Sequence, residues 1–172
     1  MYRRLRYGYA FRRIPLTQGF FAIVDPADYD DLAKYNWRIC KSKGKYTLYA
    51  ERSVRKTNGK FSRILMHRQL IPDVPAGLVI DHINGDGLDN RRANLRLATV
   101  AQNAANSRPR KSLAGLKGVA FAKGKNRWRA SIVANGSRIH LGYFRDPRDA
   151  AKAYDYAAKQ YHKQFARLNN VK

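Results

Sequence analysis

Cysteine is almost absent from this chain, whose 172 residues include a single one, Cys40. One cysteine excludes an internal disulfide and any zinc site built from several thiolates, and it indicates a reducing compartment. Because Trp37 and Ile39 lie nearby in the sequence, we expect a buried thiol with a structural role rather than a reactive one.

Long apolar runs are also missing. No stretch approaches the roughly 18 apolar residues that span a bilayer. The basic N-terminus, residues 1–6, is not followed by the apolar segment of a signal peptide. We therefore expect a protein that acts in the cytoplasm, that does not enter a membrane and that is not secreted by this route.

Acidic residues are scarce. The chain has 12 Asp and Glu against 35 Lys and Arg, which gives a formal net charge of +23. Such an excess goes far beyond what solubility needs and is typical of a protein that binds a polyanion through counterion release. Aromatic residues, 12% of the chain, are interleaved with the basic ones, so we expect most of the charge on folded surface. Nucleic acid is the predicted partner, and charge alone leaves DNA and RNA open.

Length and composition predict a folded protein of the α+β class, with one ordinary domain or two or three small ones. Local patterns divide the chain into a basic arm at residues 1–13, an N-terminal α+β region at 14–63, a central module at 64–107, a linker at 108–115 and a C-terminal domain at 116–172. The arm either orders on a nucleic-acid backbone or is a frayed terminus.

The N-terminal region combines strands with one helix. Asp25 and Pro26 predict a helix start with Asp25 as the N-cap, and the helix should extend to about Lys34. Asn58-Gly59 separates two β-rich runs and favours a two-residue type I′ turn. The predicted strands cover residues 20–24, 37–40, 46–55 and 61–65.

The C-terminal domain has the pattern of three strands followed by one helix. The predicted strands are 119–123, 127–134 and 137–144, and Asn135-Gly136 forms a type I′ turn between the last two. Asp146 followed by Pro147 predicts a helix N-cap. The apolar face of this helix should pack on one side of a three-stranded antiparallel sheet, and it comprises Ala150, Ala153, Tyr154, Ala157, Ala158, Tyr161 and Phe165.

The central module carries a carboxylate, an imidazole and amides in a pattern that predicts a ββα unit. Asp81 and His82 follow an apolar strand end, and residues 84–87 form a Gly-rich turn. A return strand over residues 95–97 leads to a capping box and to a helix with Asn103 on its first turn. Carboxylate and amide oxygens suit Mg²⁺ or Ca²⁺. Since one carboxylate binds a cation weakly, we expect water and a DNA phosphate to complete its coordination.

This module resembles the HNH nucleases, in particular phage-type HNH homing endonucleases, over residues 64–107. The resemblance is carried by Met66-His67-Arg68, Asp81-His82-Ile83-Asn84-Gly85, Asp89-Asn90-Arg91, Asn94-Leu95-Arg96 and Asn103, which stands at the position of the motif's third letter, a histidine. It implies that His82 is the general base, that Asp81 and Asn103 bind a divalent metal, and that Asn94 orients the imidazole or braces the loop. The implied metal is Mg²⁺, with Mn²⁺ as the alternative. We expect His67 to be structural, with a role beside the site as the alternative, and Asp86 and Asp89 to form the turn.

The C-terminal domain is similar to the APETALA/ethylene-response-factor (ERF) DNA-binding domain. The similarity is carried by Lys117-Gly118-Val119, Arg127-Trp128-Arg129-Ala130, Leu141-Gly142-Tyr143-Phe144, residues 150–155 and Ala166-Arg167-Leu168-Asn169. It implies that a basic sheet face contacts DNA through Lys117, Arg127, Arg129, Arg138 and His140. Further predicted DNA contacts are Lys123, Arg91 and Arg96. Ala120 and Ala122 stand where that family is usually basic, so its target sequence does not carry over.

These patterns and the two resemblances together predict a metal-dependent endonuclease that hydrolyses duplex DNA, and the HNH resemblance implies 5′-phosphate and 3′-hydroxyl ends. The C-terminal sheet would select and hold the DNA, the central module would cut it, and the protein would act as a monomer. The resemblance to phage proteins implies that it acts in the cytoplasm of a bacterial host. Two alternatives remain open. One is a sequence-specific DNA-binding regulator with an inactive nuclease module, and the other is a structural RNA-binding protein of the ribosomal kind.

Overall fold

The computed structural model describes residues 10–41, 47–109 and 113–171. Helices accompany small antiparallel sheets, which confirms the predicted α+β class. The chain forms two compact units, residues 1–99 and residues 100–172. The domain boundaries predicted from the sequence stay a prediction, and residues 1–9 of the arm and 110–112 of the linker lie outside the described residues. No helix in the described residues is long and apolar enough to cross a bilayer.

The first unit, in its described part, is built from small antiparallel sheets and short helices. Strand β1 (Arg12–Pro15) pairs with β2 (Phe21–Val24), and helix α1 follows over Pro26–Ala33. The next three strands, β3 (Arg38–Lys41), β4 (Leu48–Arg55) and β5 (Phe61–Leu65), form one sheet. Helix α2 covers Met66–Leu70, and strand β6 (Leu78–His82) then pairs with β7 (Leu95–Thr99). The four strands predicted in the N-terminal region agree with β2 to β5 to within two residues. Strand β1 and helix α2 have no counterpart among the predicted elements.

One hydrophobic core joins these elements. Ile14 of β1, Leu32 of α1 and Met66 of α2 are among its fully buried side chains. Ile80 of β6 and Leu95 of β7 pack in the same core. The strand pair that ends with Asp81 and His82 is therefore anchored to the rest of the unit.

Cys40 lies on β3 and is partly exposed, not fully buried as expected. Desolvation, followed by the neighbouring Glu51 carboxylate, raises the pKa of its thiol to about 11. The thiol therefore stays protonated at neutral pH, and this favours the predicted structural role because the thiolate is the reactive form.

Helix α1 begins where the sequence predicts, and Asp25 occupies the predicted N-cap position. Pro26 occupies the first helical turn, whereas the Asp25 side chain makes no capping hydrogen bond. Asp25 Oδ2 instead accepts a 2.7 Å hydrogen bond from the backbone N–H of Arg92. The Arg92 guanidinium also forms a 2.7 Å ion pair with Asp28. The Asp25 carboxylate, which the local sequence pattern predicts to cap the helix, is therefore bonded to Arg92, a residue that is distant in the sequence.

The turn at Asn58-Gly59 also differs from the prediction. Only Gly59 has a positive φ, +75°. The Gly59 N–H donates to the Lys56 carbonyl oxygen at 3.0 Å, and the Lys56 N–H donates to the Lys60 carbonyl oxygen at 2.7 Å. The hairpin therefore closes through a three-residue loop with glycine in the left-handed position, and the predicted two-residue type I′ turn is wrong here.

The second unit begins with α3 (Val100–Asn106) and continues with a three-stranded antiparallel sheet and a longer helix. Its strands are β8 (Val119–Ala122), β9 (Arg127–Ala134) and β10 (Ser137–Phe144), in the spatial order β10-β9-β8, and α4 covers Pro147–His162. Asn135 and Gly136 both have positive φ, +51° and +76°, which confirms the type I′ turn between β9 and β10. The Asp146 carboxylate accepts a 2.6 Å hydrogen bond from the Arg148 N–H and caps α4 as predicted.

Helix α4 packs on one face of this sheet. Ala130 and Ile132 of β9 are buried there and alternate along the strand with the partly exposed Arg129 and Ser131. The buried residues of α4 are Ala150, Ala151, Tyr154, Ala157 and Ala158. Tyr161, which was predicted on this face, lies in the last turn of α4 and is 49% exposed. Small side chains let the helix approach the sheet closely.

Replacing Gly118 with alanine is expected to destabilise the second unit by about 2–5 kcal/mol, because steric overlap and a strained backbone act together. Gly118 has a φ of +75°, and an added Cβ would lie 2.0 Å from the ring of the buried Tyr154. Urea unfolding followed by circular dichroism measures the loss. Gly124→Ala is the matched control, since an added Cβ there has no atom within 4 Å. Equal stability of the two variants would contradict close packing at Gly118.

Candidate functional site

Strand β6 ends with the two residues that sequence analysis places at the chemical site. Asp81 and His82 are its last residues, and they pair in register with Arg96 and Leu95 of β7. Both are buried, with exposed fractions of 4% and 5%. The end of the strand thus holds a carboxylate and an imidazole in fixed positions that are largely shielded from water.

Asn94 braces the loop between β6 and β7. Its Nδ2 donates to the carbonyl oxygen of Asp89 at 2.7 Å and to Asn84 Oδ1 at 3.1 Å. Its Oδ1 accepts from the Asn84 N–H at 3.0 Å, and its carbonyl oxygen accepts from the Ile83 N–H at 2.9 Å. Of the two roles that the resemblance implies for Asn94, these bonds favour bracing the loop that follows His82.

A buried ion pair holds the same loop from inside. The Arg91 guanidinium donates from Nε to Asp89 Oδ1 at 2.8 Å and from Nη2 to Asp89 Oδ2 at 2.7 Å. Asp89 Oδ2 also accepts from Asn84 Nδ2 at 2.8 Å. Both members of the pair are buried. Asp89 is therefore an internal anchor of the turn, and the burial of Arg91 argues against its predicted direct contact with DNA.

Asp81 is paired with an arginine from the neighbouring strand. Arg96 donates from Nε to Asp81 Oδ2 at 2.9 Å, and its Nη2 lies 2.8 Å from the same oxygen. The cross-strand register of β6 and β7 puts these residues opposite each other. Sequence analysis predicted that Arg96 contacts DNA and missed its ion pair with Asp81. Antiparallel pairing of the two predicted strands could have indicated this ion pair, because it places the two residues opposite each other. A cation that binds Asp81 has to share the carboxylate with Arg96 or displace it.

The rings of His67 and Tyr49 pack against His82. The His67 ring meets it edge to face, with centroids 5.0 Å apart, and the Tyr49 ring lies 5.8 Å away. Gly87 makes room for this group, because an added Cβ would lie 2.6 Å from the Tyr49 ring and 2.4 Å from the Leu48 carbonyl oxygen. No motif or spacing in the sequence indicated Tyr49. The structure gives His67 a place beside the site, which is the alternative that sequence analysis left open.

Burial controls the protonation of His82. Desolvation lowers its pKa from the ordinary value, while a hydrogen bond with Asn90 and the charges of Asp81, Asp86 and Asp89 act in the opposite direction. A lowered pKa keeps the imidazole neutral at pH 7. The ring is then able to accept a proton, which is what a general base must do.

His67 is expected to make the protein less stable in acid. Desolvation, helped by His82 and Arg68, lowers its pKa from 6.5 to about 3. The unfolded chain therefore takes up a proton below about pH 6.5 while the folded chain does not, so stability is full above that pH. It is lost as the pH falls toward 3, at up to about 1.4 kcal/mol per pH unit.

The measurement is urea unfolding at several pH values between 6.5 and 4, for the wild type and for His67→Phe. The phenylalanine variant keeps a ring of similar size without a titrating nitrogen, so its free energy of unfolding should fall less steeply with decreasing pH. Parallel pH profiles for the two proteins would contradict this role of His67.

Asn103, the second predicted metal ligand, lies on α3 in the second unit and is partly exposed. Its approach to Asp81 stays a prediction. Within the described ranges, no three His, Cys, Asp or Glu side chains come together as a metal site. Carboxylate and amide oxygens are ligands that a hard cation prefers, and which side chains bind one stays a prediction.

The face of the β8–β9–β10 sheet opposite α4 is basic. Arg138 and His140 are exposed on β10, and Arg127 and Arg129 are partly exposed on β9. Lys123 is exposed in the turn between β8 and β9. These predicted DNA contacts thus lie on strands that share a sheet or at its edge.

An aromatic group that sequence analysis missed extends this surface. The rings of His140 and Tyr143 are 4.6 Å apart, and Lys125 Nζ lies 4.2 Å from the centre of the Tyr143 ring. A β-bulge between His140 and Gly142 shifts the register and places both rings on one side of β10. The sheet face therefore offers stacking groups as well as positive charge.

Lys117, another predicted DNA contact, holds the end of α3. Its Nζ donates to the backbone carbonyl oxygens of Ala104, Ala105 and Ser107. A cation at a helix C-terminus also complements the helix dipole. The backbone N–H of Lys117 donates to Asn169 Oδ1 at 2.7 Å. A contact of Lys117 with DNA would compete with its bonds to α3.

Comparisons with known proteins agree with this geometry. The family model described as HNH endonuclease matches residues 64–105. Protein 3.8 of Escherichia phage T7 is 35% identical over 96 residues, which are 55% of this chain and 78% of the relative. Uncharacterized HNH endonuclease L560 of Acanthamoeba polyphaga mimivirus is 27% identical over 159 residues, or 90% of this chain and 77% of the relative. No solved structure matches the chain significantly.

The matched region begins one residue before the end of β5 and includes the β6–β7 pair with its braced loop and nearly all of α3. Asp81, His82, Asn94 and Asn103 all lie within it. The chain belongs to the same family as protein 3.8 of phage T7 and carries an HNH endonuclease domain in its central region.

Proposed function

We propose that this protein is an active, metal-dependent endonuclease of the homing-endonuclease type, which hydrolyses phosphodiester bonds in duplex DNA. The observation that carries the proposal is the buried His82 imidazole next to the Asp81 carboxylate at the end of β6. Both lie within the residues that match HNH endonucleases. A base and a metal-binding carboxylate held side by side are the groups that phosphodiester hydrolysis needs.

His82 takes the proton from the attacking water in this proposal. Its ring is held by packing against His67 and Tyr49, so it does not need to be ordered during the reaction. Asn94 and the buried pair of Asp89 and Arg91 fix the loop that follows it. Because the base is already positioned, less entropy is lost in reaching the reactive geometry, and the entropic part of the activation free energy is lower.

HNH nucleases generally use a divalent metal. Asp81 and Asn103 would hold this cation, for which we propose Mg²⁺ with Mn²⁺ as the alternative, because both are hard ions that prefer oxygen ligands. When bound, the cation supplies positive charge to the phosphate oxygens. With one protein carboxylate in the site, metal and DNA should strengthen each other's binding.

The second unit holds the DNA in this proposal, acting like the ERF-type domain that it resembles. Its support is the basic sheet face with Arg127, Arg129, Arg138 and His140, together with the ring of Tyr143. A sheet of this kind fits a major groove, where arginine reaches guanine edges and phosphates. One copy of the chain carries both the cutting and the holding residues, so we propose that it acts as a monomer.

A plasmid nicking assay tests the proposal. Purified protein with Mg²⁺ should convert supercoiled plasmid to nicked or linear DNA, and EDTA should prevent the conversion. Since the products should carry 5′-phosphate and 3′-hydroxyl ends, DNA ligase should reseal the nicks. Ends that ligase does not seal would contradict the proposed hydrolysis, and absence of cutting with any divalent metal would reject it.

One observation favours a second function, a sequence-specific DNA-binding regulator with an inactive nuclease module. Arg96 already neutralises the buried Asp81 carboxylate, and a carboxylate that keeps its arginine is a poor metal ligand. This alternative expects tight, site-specific binding of duplex DNA that divalent metals neither strengthen nor convert into cleavage.

Replacing Arg96 with glutamine should separate these functions. If Arg96 competes with the metal, removing its charge leaves a buried carboxylate that a divalent cation can stabilise, so Mn²⁺ should raise the melting temperature more in Arg96→Gln than in the wild type. Differential scanning calorimetry with and without Mn²⁺ gives this difference without any cleavage. Equal Mn²⁺ shifts in the two proteins would contradict competition at Asp81.

A further inference from the structure

A cavity of about 280 Å³ opens on the basic side of the second unit, between the sheet and the segment that follows α3. All of its lining residues belong to this unit, and they include Ser107 and Arg108 from the segment and Arg129 and Arg138 from the sheet. A water molecule takes up roughly 30 Å³ in the liquid. The cavity therefore has room for a group much larger than one water.

Positive charge without a counter-charge lines this cavity. Arg108, Arg129 and Arg138 are lining residues, and no Asp or Glu is one among the residues that the structure describes. In the same described ranges none of these three arginines forms an ion pair. Like charges gathered in one place repel each other, and a bound anion would remove that repulsion.

One hydrogen-bond donor in the cavity wall lacks an acceptor. Arg129 Nε is buried and has no hydrogen-bond partner in the described part of the chain. A buried donor left in this state costs about 1–3 kcal/mol, and folded proteins leave few of them. An oxygen of a ligand in the cavity would satisfy it.

Two residues keep the cavity open. Ala120 of β8 pairs with Arg129 in the sheet register and lines the cavity with a side chain that ends at Cβ. Lys117 Nζ holds the Ser107 carbonyl oxygen at 2.7 Å and so fixes the segment on the other side. The opening is thus built by a small residue and by an internal bond.

We infer that this cavity binds one backbone phosphate of duplex DNA, clamped by Arg108, Arg129 and Arg138. Guanidinium groups match the geometry of phosphate oxygens and donate to them in pairs. The volume leaves space for the attached sugar as well. The inference rests on the proposed DNA-binding function and deepens it, because it separates a backbone clamp from groups of the same sheet face that do not line the cavity, such as Arg127 and His140, and that would meet base edges.

Salt-dependent DNA binding tests the inference. Fluorescence anisotropy with a labelled duplex in EDTA, at a series of KCl concentrations, gives the slope of log K against log salt. Each phosphate contact contributes about 0.9 to that slope. Arg129→Gln should reduce the slope by about 1 and weaken binding about tenfold at moderate salt.

Ala120→Leu is the sharper variant, because it fills the cavity without a change of charge. Ala120 is exposed, so the substitution should not disturb folding, which circular dichroism verifies. We expect the same loss of slope as for Arg129→Gln. Lys152→Gln is the matched control: it removes one charge from the exposed surface of α4, which packs on the other sheet face, and should keep the full slope.

Inorganic phosphate gives a readout without DNA. In NMR titrations it should shift the Nε–Hε signal of Arg129 in the wild type and not in Ala120→Leu. An unchanged slope and affinity in Ala120→Leu would overturn the inference. If the wild type cuts no DNA but the cavity variants have a smaller salt-dependence slope, the nuclease proposal fails and the phosphate clamp is supported. If the wild type cuts DNA and the cavity variants have the wild-type slope, the nuclease proposal is supported and the phosphate clamp is rejected.

Discussion

Replacing His82 with alanine is expected to lower the rate of DNA cleavage by about 10²–10⁴-fold, the range typical for loss of a general base. His82 is buried and its pKa is lowered, so it is neutral and able to accept a proton at pH 7. The His67 ring, 5.0 Å away, is a poor substitute because its pKa of about 3 makes it a weak base. Affinity for uncut duplex should change little, since alanine removes no positive charge.

Initial rates of plasmid nicking at saturating Mg²⁺ measure the loss, and anisotropy in EDTA measures DNA affinity for the same preparations. His162→Ala is the matched control, because His162 lies at the end of α4 in the other unit and has no place in the proposed chemistry. If His82→Ala and His162→Ala cut at equal rates, His82 is not the base.

Local sequence signals predicted much of the second unit. The Asp146 cap needs only the N–H of Arg148, two residues away, and the Asn135-Gly136 turn needs only its own backbone conformation. The alternation of β9 follows from one face packing on α4. Each of these features is decided within a few residues, so pattern alone was sufficient to find it.

The errors in the first unit have a different origin. Asp25 was expected to cap α1, but its carboxylate bonds to Arg92, 67 residues later in the chain. The turn at Asn58 has the same residues as the one at Asn135, yet Lys56 and Lys60 extend the hydrogen bonding and only Gly59 takes a positive φ. The bonding of Asp25 depends on a residue that is distant in the sequence, and the conformation of the turn depends on how the flanking strands pair. A local sequence pattern carries no information about either.

The candidate site shows the same division. Local pattern placed Asp81 and His82 at a strand end, which β6 confirms, because a strand end and the turn after it are local features. The rings of Tyr49 and His67, which pack against His82, come from β4 and α2 and follow from the fold of the whole unit. Sequence therefore predicted the position of the proposed reacting groups better than the groups that pack around them, and the reaction itself stays a prediction.

Asp81 and Asp89 show how two of the few carboxylates in a chain of net charge +23 are neutralised. Asp81 is paired with Arg96 on the neighbouring strand, and Asp89 with Arg91 two residues away. In the proposed function the first pair would exchange its arginine for a metal, since Arg96 keeps some exposure. The second has both members buried and bonded twice, which fits an anchor that does not open during the reaction.

Replacing Asp89 with asparagine is expected to lower the free energy of unfolding of the first unit by about 3–5 kcal/mol, the range for breaking a buried ion pair. Asp89 is 2% exposed and binds Arg91 at 2.8 and 2.7 Å. Asparagine keeps the volume but leaves the guanidinium buried without a counter-charge. The loop also loses a strong acceptor for Asn84 Nδ2.

Urea unfolding followed by fluorescence of Trp37, which is 4% exposed in the core of the first unit, measures the loss. Trp128→Phe in all variants removes the second tryptophan and confines the signal to this unit. Asp31→Asn is the control: it breaks an ion pair with Lys34 whose side chains are 81% and 63% exposed, so the midpoint should barely move.

The double variant Asp89→Leu/Arg91→Leu separates charge burial from packing. With both charges gone no buried guanidinium lacks a partner, so the double variant should recover part of the stability that Asp89→Asn loses. If Asp89→Asn unfolds at the same urea concentration as Asp31→Asn, the Asp89–Arg91 pair does not anchor the loop, and the order of the loop that follows His82 must come from its other hydrogen bonds, such as those of Asn94 and of Ile23.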